Sequence, residues 1–194
     1  MRGKMAPMIL ETAASQAIID ATRAWVDKAV IGLNLCPFAK AVQVKGQVRY
    51  TVSDAADTDT LEADLRAELL ALVASDPAKR DTTLLIHPGV LQDFFDYNDF
   101  LDTADACLDA LELDGIIQIA SFHPQYQFAG SGPEDVENYT NRSPYPILHL
   151  LREDSIEHAV AAFPDAASIY ERNMETLRRL GLSGWQDLKL FPAP

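Results

Sequence analysis

Two histidines stand at the ends of apolar segments that have the composition of buried strands. His87 follows residues 82–86, His123 follows residues 116–122, and each histidine precedes a proline. Because the carboxyl ends of parallel strands open onto one edge of a sheet, we expect the two imidazoles to share a crevice. An imidazole titrates near neutral pH and can transfer protons or hold a substrate oxygen. We therefore predict that His123 is a general acid or base and that His87 binds substrate.

A polar loop between residues 123 and 146 supplies further groups for a site. Long polar loops on a rigid scaffold often carry function, and a guanidinium group beside amides can clamp a carboxylate or phosphate. Alternatively, the amides cap the loop's own backbone while Arg142 pairs with an acidic residue at position 134, 135 or 137. The predicted substrate-binding residues of the loop are Tyr126, Asn138, Asn141, Arg142, Ser143 and Tyr145.

Cys36 is the predicted nucleophile. It precedes Pro37, which can open a short helix over residues 37–42, so the thiol would occupy the N-cap. Unpaired N–H groups and the positive end of the helix dipole favour a thiolate there. The alternative is a compact buried turn, because free cysteine is among the most buried residue types. Cys107 lies on an apolar helical stripe and is predicted to pack in the core.

The histidines also permit a metal hypothesis. Three imidazoles with one open position suit catalytic zinc, and His87, His123 and His149 are the candidates. Their spacing matches no diagnostic metal-binding pattern. We therefore predict no metal site, and the sequence identifies no cofactor.

The elements that must position these groups alternate between helical and extended periodicity. Their order predicts one α/β domain over residues 1–194, with helices packed on a four- to five-stranded mixed sheet, mostly parallel, and a helical C-terminal part. The first three strands are expected to pair in parallel, and the fourth could be antiparallel. Predicted strands cover residues 47–52, 82–86, 116–122 and 147–151, and predicted helices cover 12–33, 37–42, 59–76 and 97–111, with a short helix from 154 and a longer one from 164 to Gly181.

Composition excludes several classes of partner. The chain has 16 Lys and Arg residues against 29 Asp and Glu residues, a net charge of -13, so nucleic acid and anionic membranes are repelled. No stretch approaches the roughly 20 apolar residues of a membrane span. The N-terminus lacks the apolar core of a secretion signal, and the two cysteines form no disulfide or zinc pattern. We expect a cytoplasmic protein.

Four segments resemble an uncharacterised bacterial family known as domain of unknown function 1415. They are NLCPFAK, LLIHP, IASFHPQYQF and NYTNRSPYPILHLLRE, and the resemblance spans nearly the whole chain. It implies a single-domain, soluble bacterial protein. It supplies no activity, cofactor or catalytic residue.

Three functions follow from these residues. The leading hypothesis is a hydrolase or group transferase that acts on a small anionic molecule, held by Asn141 and Arg142 beside His123 and Cys36. The second is a non-catalytic module that binds a metabolite or peptide in the same pocket. In the third, the tyrosines of the loop are buried against a partner chain, and the sequence leaves the oligomeric state open.

Overall fold

The computed structural model describes residues 13–163 and 168–190, which form helices around one sheet. Helix α1 continues into a π-helical segment, Val26–Ile31, and a 3-10 helix, Val136–Thr140, lies in the polar loop. Within the described ranges, no helix is both long and apolar enough to cross a membrane. The α-helices are α1 (Ala13–Trp25), α2 (Ala39–Val44), α3 (Thr58–Val73), α4 (Phe94–Ala110), α5 (Glu153–Ala161) and α6 (Ile169–Asp187).

The sheet of the described chain has four strands in the order β1-β2-β4-β3. They are β1 (Val48–Val52), β2 (Thr82–Ile86), β3 (Ile117–Phe122) and β4 (Ile147–Arg152). β1 and β2 pair in parallel, whereas β4 is antiparallel to both β2 and β3. Three strands therefore run in one direction, as predicted for a mixed sheet. The expected pairing of β2 with β3 is wrong, because β4 lies between them.

Each face of the sheet carries its own apolar core. On one face, alternate residues such as Leu85 and Leu148 pack with α3 and α4. On the other, Leu84 and Ile147 pack with α1, the π-helical segment and α6. All five residues of β2 are buried, because side chains that alternate between the faces of a central strand are covered on both sides.

Helices α3 and α4 begin near the sheet edge where β1 and β2 end, and each begins with an aspartate N-cap. Asp57 accepts a hydrogen bond from Thr60 N at 2.8 Å, and Asp93 accepts one from Phe95 N at 2.8 Å. Such caps satisfy N–H groups that have no partner within the helix. The sequence placed the N-cap of α3 at Asp59, two residues after the observed N-cap Asp57, because an aspartate at either position fits a capping pattern.

The C-terminal helix also breaks where the sequence indicated. Gly181 has φ of 67° and ψ of 174°, so α6 consists of two helical parts on either side of it. A positive φ costs glycine little because it lacks a Cβ. The predicted start of this helix at Pro164, like residue 12 of the first predicted helix, lies outside the described residues.

Candidate functional site

The two histidines at the strand ends meet around Tyr97, a buried residue of α4. The ring centroid of Tyr97 lies 5.8 Å from that of His87 and 5.0 Å from that of His123. The Tyr97 hydroxyl donates to Ile147 O at 2.7 Å and accepts from Phe122 N at 3.1 Å. Tyr97 therefore ties the ends of β3 and β4 together beneath the imidazoles.

His87 is fully buried and has one hydrogen-bonded ring nitrogen. Its Nδ1 lies 3.2 Å from Val90 O, and because a carbonyl only accepts, Nδ1 carries the proton. Its Nε2 is then an acceptor, and it has no hydrogen-bond partner in the described structure. Burial lowers the pKa of His87 to about 4, since an imidazolium is costly to desolvate.

His123 is also fully buried, but both of its ring nitrogens are paired. Nε2 donates to Leu91 O at 3.1 Å, and Nδ1 accepts from Gln125 N at 3.0 Å. These partners fix one neutral tautomer. Burial lowers the pKa of His123 below its usual value. A second proton on Nδ1 would break the bond from Gln125, so this geometry does not favour proton transfer.

Both imidazoles hold the same short segment, which joins β2 to α4. Their acceptors, Val90 O and Leu91 O, are consecutive carbonyls of that segment. Leu91 has φ of 57°, a left-handed conformation that residues with a Cβ rarely adopt. Such a conformation persists only when its surroundings impose it. The predicted site histidines thus position backbone.

Asn138 lies buried at the centre of the polar loop and joins its two arms. Its Oδ1 accepts from Phe128 N at 3.0 Å and from Ser131 Oγ at 2.7 Å, while Nδ2 donates to Gly132 O at 2.7 Å. The amide therefore uses both its oxygen and its nitrogen within the loop. This arrangement matches the alternative in which loop amides cap their own backbone.

The other polar groups of the loop are used in the same way. Asn141 Nδ2 donates to Ser121 O at 3.1 Å, and Ser143 Oγ donates to Tyr145 O at 2.6 Å. The Arg142 guanidinium donates to Tyr126 O at 3.2 Å and to Pro133 O at 2.6 Å. Arg142 therefore holds carbonyls, whereas the alternative had paired it with a carboxylate.

The loop is fastened directly to the end of β3. His123 N donates to Asn141 O at 3.2 Å, and Ser143 N lies 3.4 Å from His123 O. These bonds lie on either side of Arg142 in the chain. The histidine and the loop that the sequence singled out are therefore neighbours, as expected, and their side chains are engaged with protein groups.

The three tyrosines of the loop pack within their own chain. Tyr126 lies 5.1 Å from the Phe94 ring, and Tyr139 lies 5.0 Å from the Trp185 ring. Tyr145 packs against the apolar core that includes α1 and α6. These contacts give the aromatic side chains a role in this fold without a partner chain.

Cys36 belongs to the layer of the fold that contains α1 and α6. Its neighbour Leu35 belongs to the core of that layer. The predicted N-cap position is wrong, because α2 begins at Ala39 with Phe38 as N-cap. Burial raises the pKa of the Cys36 thiol, although the backbone N–H groups of Phe38 and Ala39 oppose this. The net effect disfavours a thiolate.

His149 does not join the other two histidines in a metal site. Its Nε2 lies 2.6 Å from Thr82 Oγ1, which also donates to Leu150 O. The Thr82 proton is thus used, and His149 donates. Among residues 13–163 and 168–190, no group of three or more His, Cys, Asp or Glu side chains is arranged to hold a metal ion.

A groove of about 770 Å³ opens at the edge where β1 and β2 end, between the first turns of α3 and α4. This is the crevice that the topology predicts for a ligand, and its volume is that of many ligand sites. Val90 and Leu91, the residues held by the two histidines, form part of its wall. Six carboxylates also line this acidic groove: Asp57, Asp59, Glu62, Asp93, Asp96 and Asp99.

Three of these carboxylates have no protein partner within the described chain. Asp57 and Asp93 cap helices, and Glu62 forms an ion pair with Arg66 at 2.8 Å. The exposed Asp59, Asp96 and Asp99 make no side-chain hydrogen bond or ion pair. No lysine or arginine of the described residues lines the groove. The crevice thus suits a cation.

Sequence reasoning missed these carboxylates, although a signal was present. Asp93, Asp96 and Asp99 recur every three residues, which places them near one face of a helix. Acidic residues near a helix N-terminus also stabilise the dipole, so each is explained locally. Only the parallel neighbours β1 and β2 bring the two sets together.

Comparison with known proteins identifies the family of the chain. The model of the family described as "Protein of unknown function (DUF1415)" matches residues 17–187. The chain therefore belongs to this family. No curated protein and no solved structure matches the chain.

Proposed function

We propose that this member of the DUF1415 family is a non-catalytic binding module that binds an extended, positively charged ligand in the acidic groove. The observation that carries the proposal is the set of unpaired carboxylates, Asp59, Asp96 and Asp99, in a groove of about 770 Å³. A cation placed there gains Coulomb energy from several charges at once. The net charge of -13 adds long-range attraction.

The ligand is an organic polycation, a polyamine or a peptide segment with spaced lysines or arginines. The carboxylates come from two helices and do not converge on one point where a single metal ion could bind. Spaced amino or guanidinium groups can each meet one carboxylate. The apolar wall at Val90, Leu91 and Phe100 can cover the methylene groups between those charges.

Binding without catalysis agrees with the hydrogen bonds of the residues that the sequence singled out. The enzyme hypothesis needs His123 to exchange a proton and Arg142 to hold an anion. Both ring nitrogens of His123 and the guanidinium of Arg142 are bound to backbone groups. The described lining of the groove contains no cysteine or histidine nucleophile.

Isothermal titration calorimetry with spermidine and with a short Lys-Gly repeat peptide tests the proposal. We expect saturable binding of at least one probe, weakened about tenfold or more when Asp59, Asp96 and Asp99 are replaced by Asn, because each lost charge removes an attraction. The two probes distinguish a small polyamine from a peptide.

The matched control replaces Asp102, Asp105 and Asp109 by Asn. These exposed residues also lie at or near α4 but do not line the groove, and the change in net charge is the same. We expect the control to bind both probes almost as the wild type does. Equal weakening in both triple variants, or no saturable binding by the wild type, refutes the proposal.

A cytoplasmic location and a bacterial origin belong to the proposal as well. Cys36 and Cys107 are both unpaired, which agrees with a reducing compartment. The expected exclusion of nucleic acid and anionic membranes agrees with the charge of the chain. Fractionation of the native host and detection with an antibody would test the location.

A further inference from the structure

A second cavity lies against α6, in the layer of the fold that contains Cys36. It has a volume of about 340 Å³, and its walls are the turn that follows the π-helical segment and one face of α6. Arg172 and Arg179 line it together with Thr176, Asn173 and Asn34. We name this cavity the arginine pocket. It is separate from the acidic groove, and the two share no lining residue.

Helix geometry places the two arginines on one face. Positions 172 and 179 are seven residues apart, almost two full turns, so their Cα atoms are separated by about 10 Å along the axis. Thr176 lies between them on the same side. Side chains of a helix lean toward its N-terminus, which is the direction from Arg179 to Thr176 and Arg172.

Arg172 and Arg179 differ in their contacts with the rest of the protein. The Arg172 guanidinium carbon lies 5.1 Å from the centroid of the Phe163 ring, which orients the side chain. Arg179 makes no hydrogen bond or ion pair with residues 13–163 and 168–190. The neighbouring Arg178 pairs with Glu137 at 2.6 Å instead, and it does not line the pocket.

The opposite wall is fixed by a buried amide. Asn173 is only 6% exposed and donates from Nδ2 to Leu35 O at 2.9 Å. This bond joins α6 to the turn that carries Asn34, whose φ is 56°. The wall therefore has a defined shape before any ligand enters, which reduces the ordering cost of binding.

We propose that the arginine pocket is a binding site for a small organic dianion, either a phosphate compound or a dicarboxylate. Among the described residues, the lining holds two guanidinium groups and one carboxylate, that of Glu175, in a chain whose net charge is -13. Guanidinium groups bind carboxylate and phosphate oxygens with paired hydrogen bonds. The volume of about 340 Å³ is that of a site for a small molecule.

Calorimetric titration with sodium pyrophosphate and with sodium succinate tests this site and distinguishes the two chemical sources. We expect one probe to bind at one site per chain. In Arg179→Gln the binding should weaken about tenfold or more, because a charge-assisted pair is lost. Arg178→Gln is the matched control and should bind as the wild type does.

Glu175→Gln gives a test in the opposite direction. Removing the carboxylate of Glu175 should tighten binding about threefold, because its repulsion of a dianion disappears. A purely structural role of the pocket would not produce tighter binding. Thermal unfolding of each variant shows whether it remains folded.

The proposal is overturned if neither probe binds the wild type saturably, or if Arg178→Gln weakens binding as much as Arg179→Gln. It is also overturned if Glu175→Gln weakens binding. The triple replacement of Asp59, Asp96 and Asp99 should leave dianion binding unchanged, so this proposal and the function proposed for the acidic groove can fail independently.

Discussion

Replacement of His87 by asparagine should reduce the pH dependence of stability. In the folded chain the pKa of His87 is about 4 because the ring is buried, whereas an unfolded histidine titrates near pH 6.5. Between these values the unfolded state binds a proton that the folded state does not. The contribution of His87 to the free energy of unfolding is therefore fully present above about pH 6.5, and it is lost as the pH falls toward 4.

The size of the effect follows from the two pKa values. Proton linkage gives a loss of about 2 kcal/mol in the free energy of unfolding between pH 7 and pH 5, and about 3 kcal/mol by pH 4. His87→Asn removes this contribution. Asparagine is smaller and should lower stability by a similar amount at every pH, so the difference between pH 7 and pH 5 isolates the titration.

Urea unfolding followed by circular dichroism at pH 7, 6 and 5 measures the effect. The wild type should lose about 2 kcal/mol more than His87→Asn between pH 7 and pH 5. If wild type and His87→Asn differ by less than about 0.5 kcal/mol in this loss, the reasoning from burial is refuted.

Three further predictions concern the loop, the thiol and a buried phenol. Asn138→Ala should lower the free energy of unfolding by about 2–4 kcal/mol in urea denaturation, because Phe128 N and Gly132 O lose their buried partner. Asn141→Ala removes one hydrogen bond and should lower it by less. Equal losses in the two variants would contradict this account. Alkylation of Cys36 by iodoacetamide, followed by mass spectrometry, should have a midpoint above the roughly 8.5 of a free thiol, because burial raises its pKa; a midpoint below that value would restore the nucleophile hypothesis. Tyr50 should ionise at about pH 12 in an ultraviolet titration, because burial raises the pKa of its phenol. A Tyr50→Phe difference curve with a midpoint near pH 10 would contradict this.

The periodicity of the sequence was sufficient to locate the strands, but not to order them. β2 is apolar throughout and is central, as its composition predicts. β4 carries a similar signal, since Ile147, Leu148 and Leu150 are all buried. That continuous burial is typical of an interior strand, whereas β3, with exposed Gln118, is an edge strand. Pairing depends on contacts between distant segments, and the 24-residue loop before β4 permits either order.

The sheet edge where the two histidines meet could be predicted from the sequence, but what their side chains bind could not. Two His-Pro strand ends correctly indicated the sheet edge, where His87 and His123 meet around Tyr97. Their partners are backbone carbonyls of the β2–α4 segment. No sequence pattern distinguishes a histidine that holds a carbonyl from one that transfers a proton. Which of these roles a histidine has depends on whether the folded chain shields its ring from solvent.

The position and exposure of its carboxylates limit how tightly the acidic groove can bind a cation. Asp59 and Asp96 lie in the first turns of α3 and α4, where the helix dipoles already stabilise negative charge. A bound cation shares that stabilisation with the helix N-termini, so each contact contributes less than it would to an isolated carboxylate. Salt also screens the charges of the exposed Asp59, Asp96 and Asp99, because the Debye length is about 8 Å at physiological ionic strength. We therefore expect exchangeable binding whose affinity falls steeply between 50 mM and 200 mM salt. An affinity that does not depend on salt would mean that apolar burial, and not charge, selects the ligand.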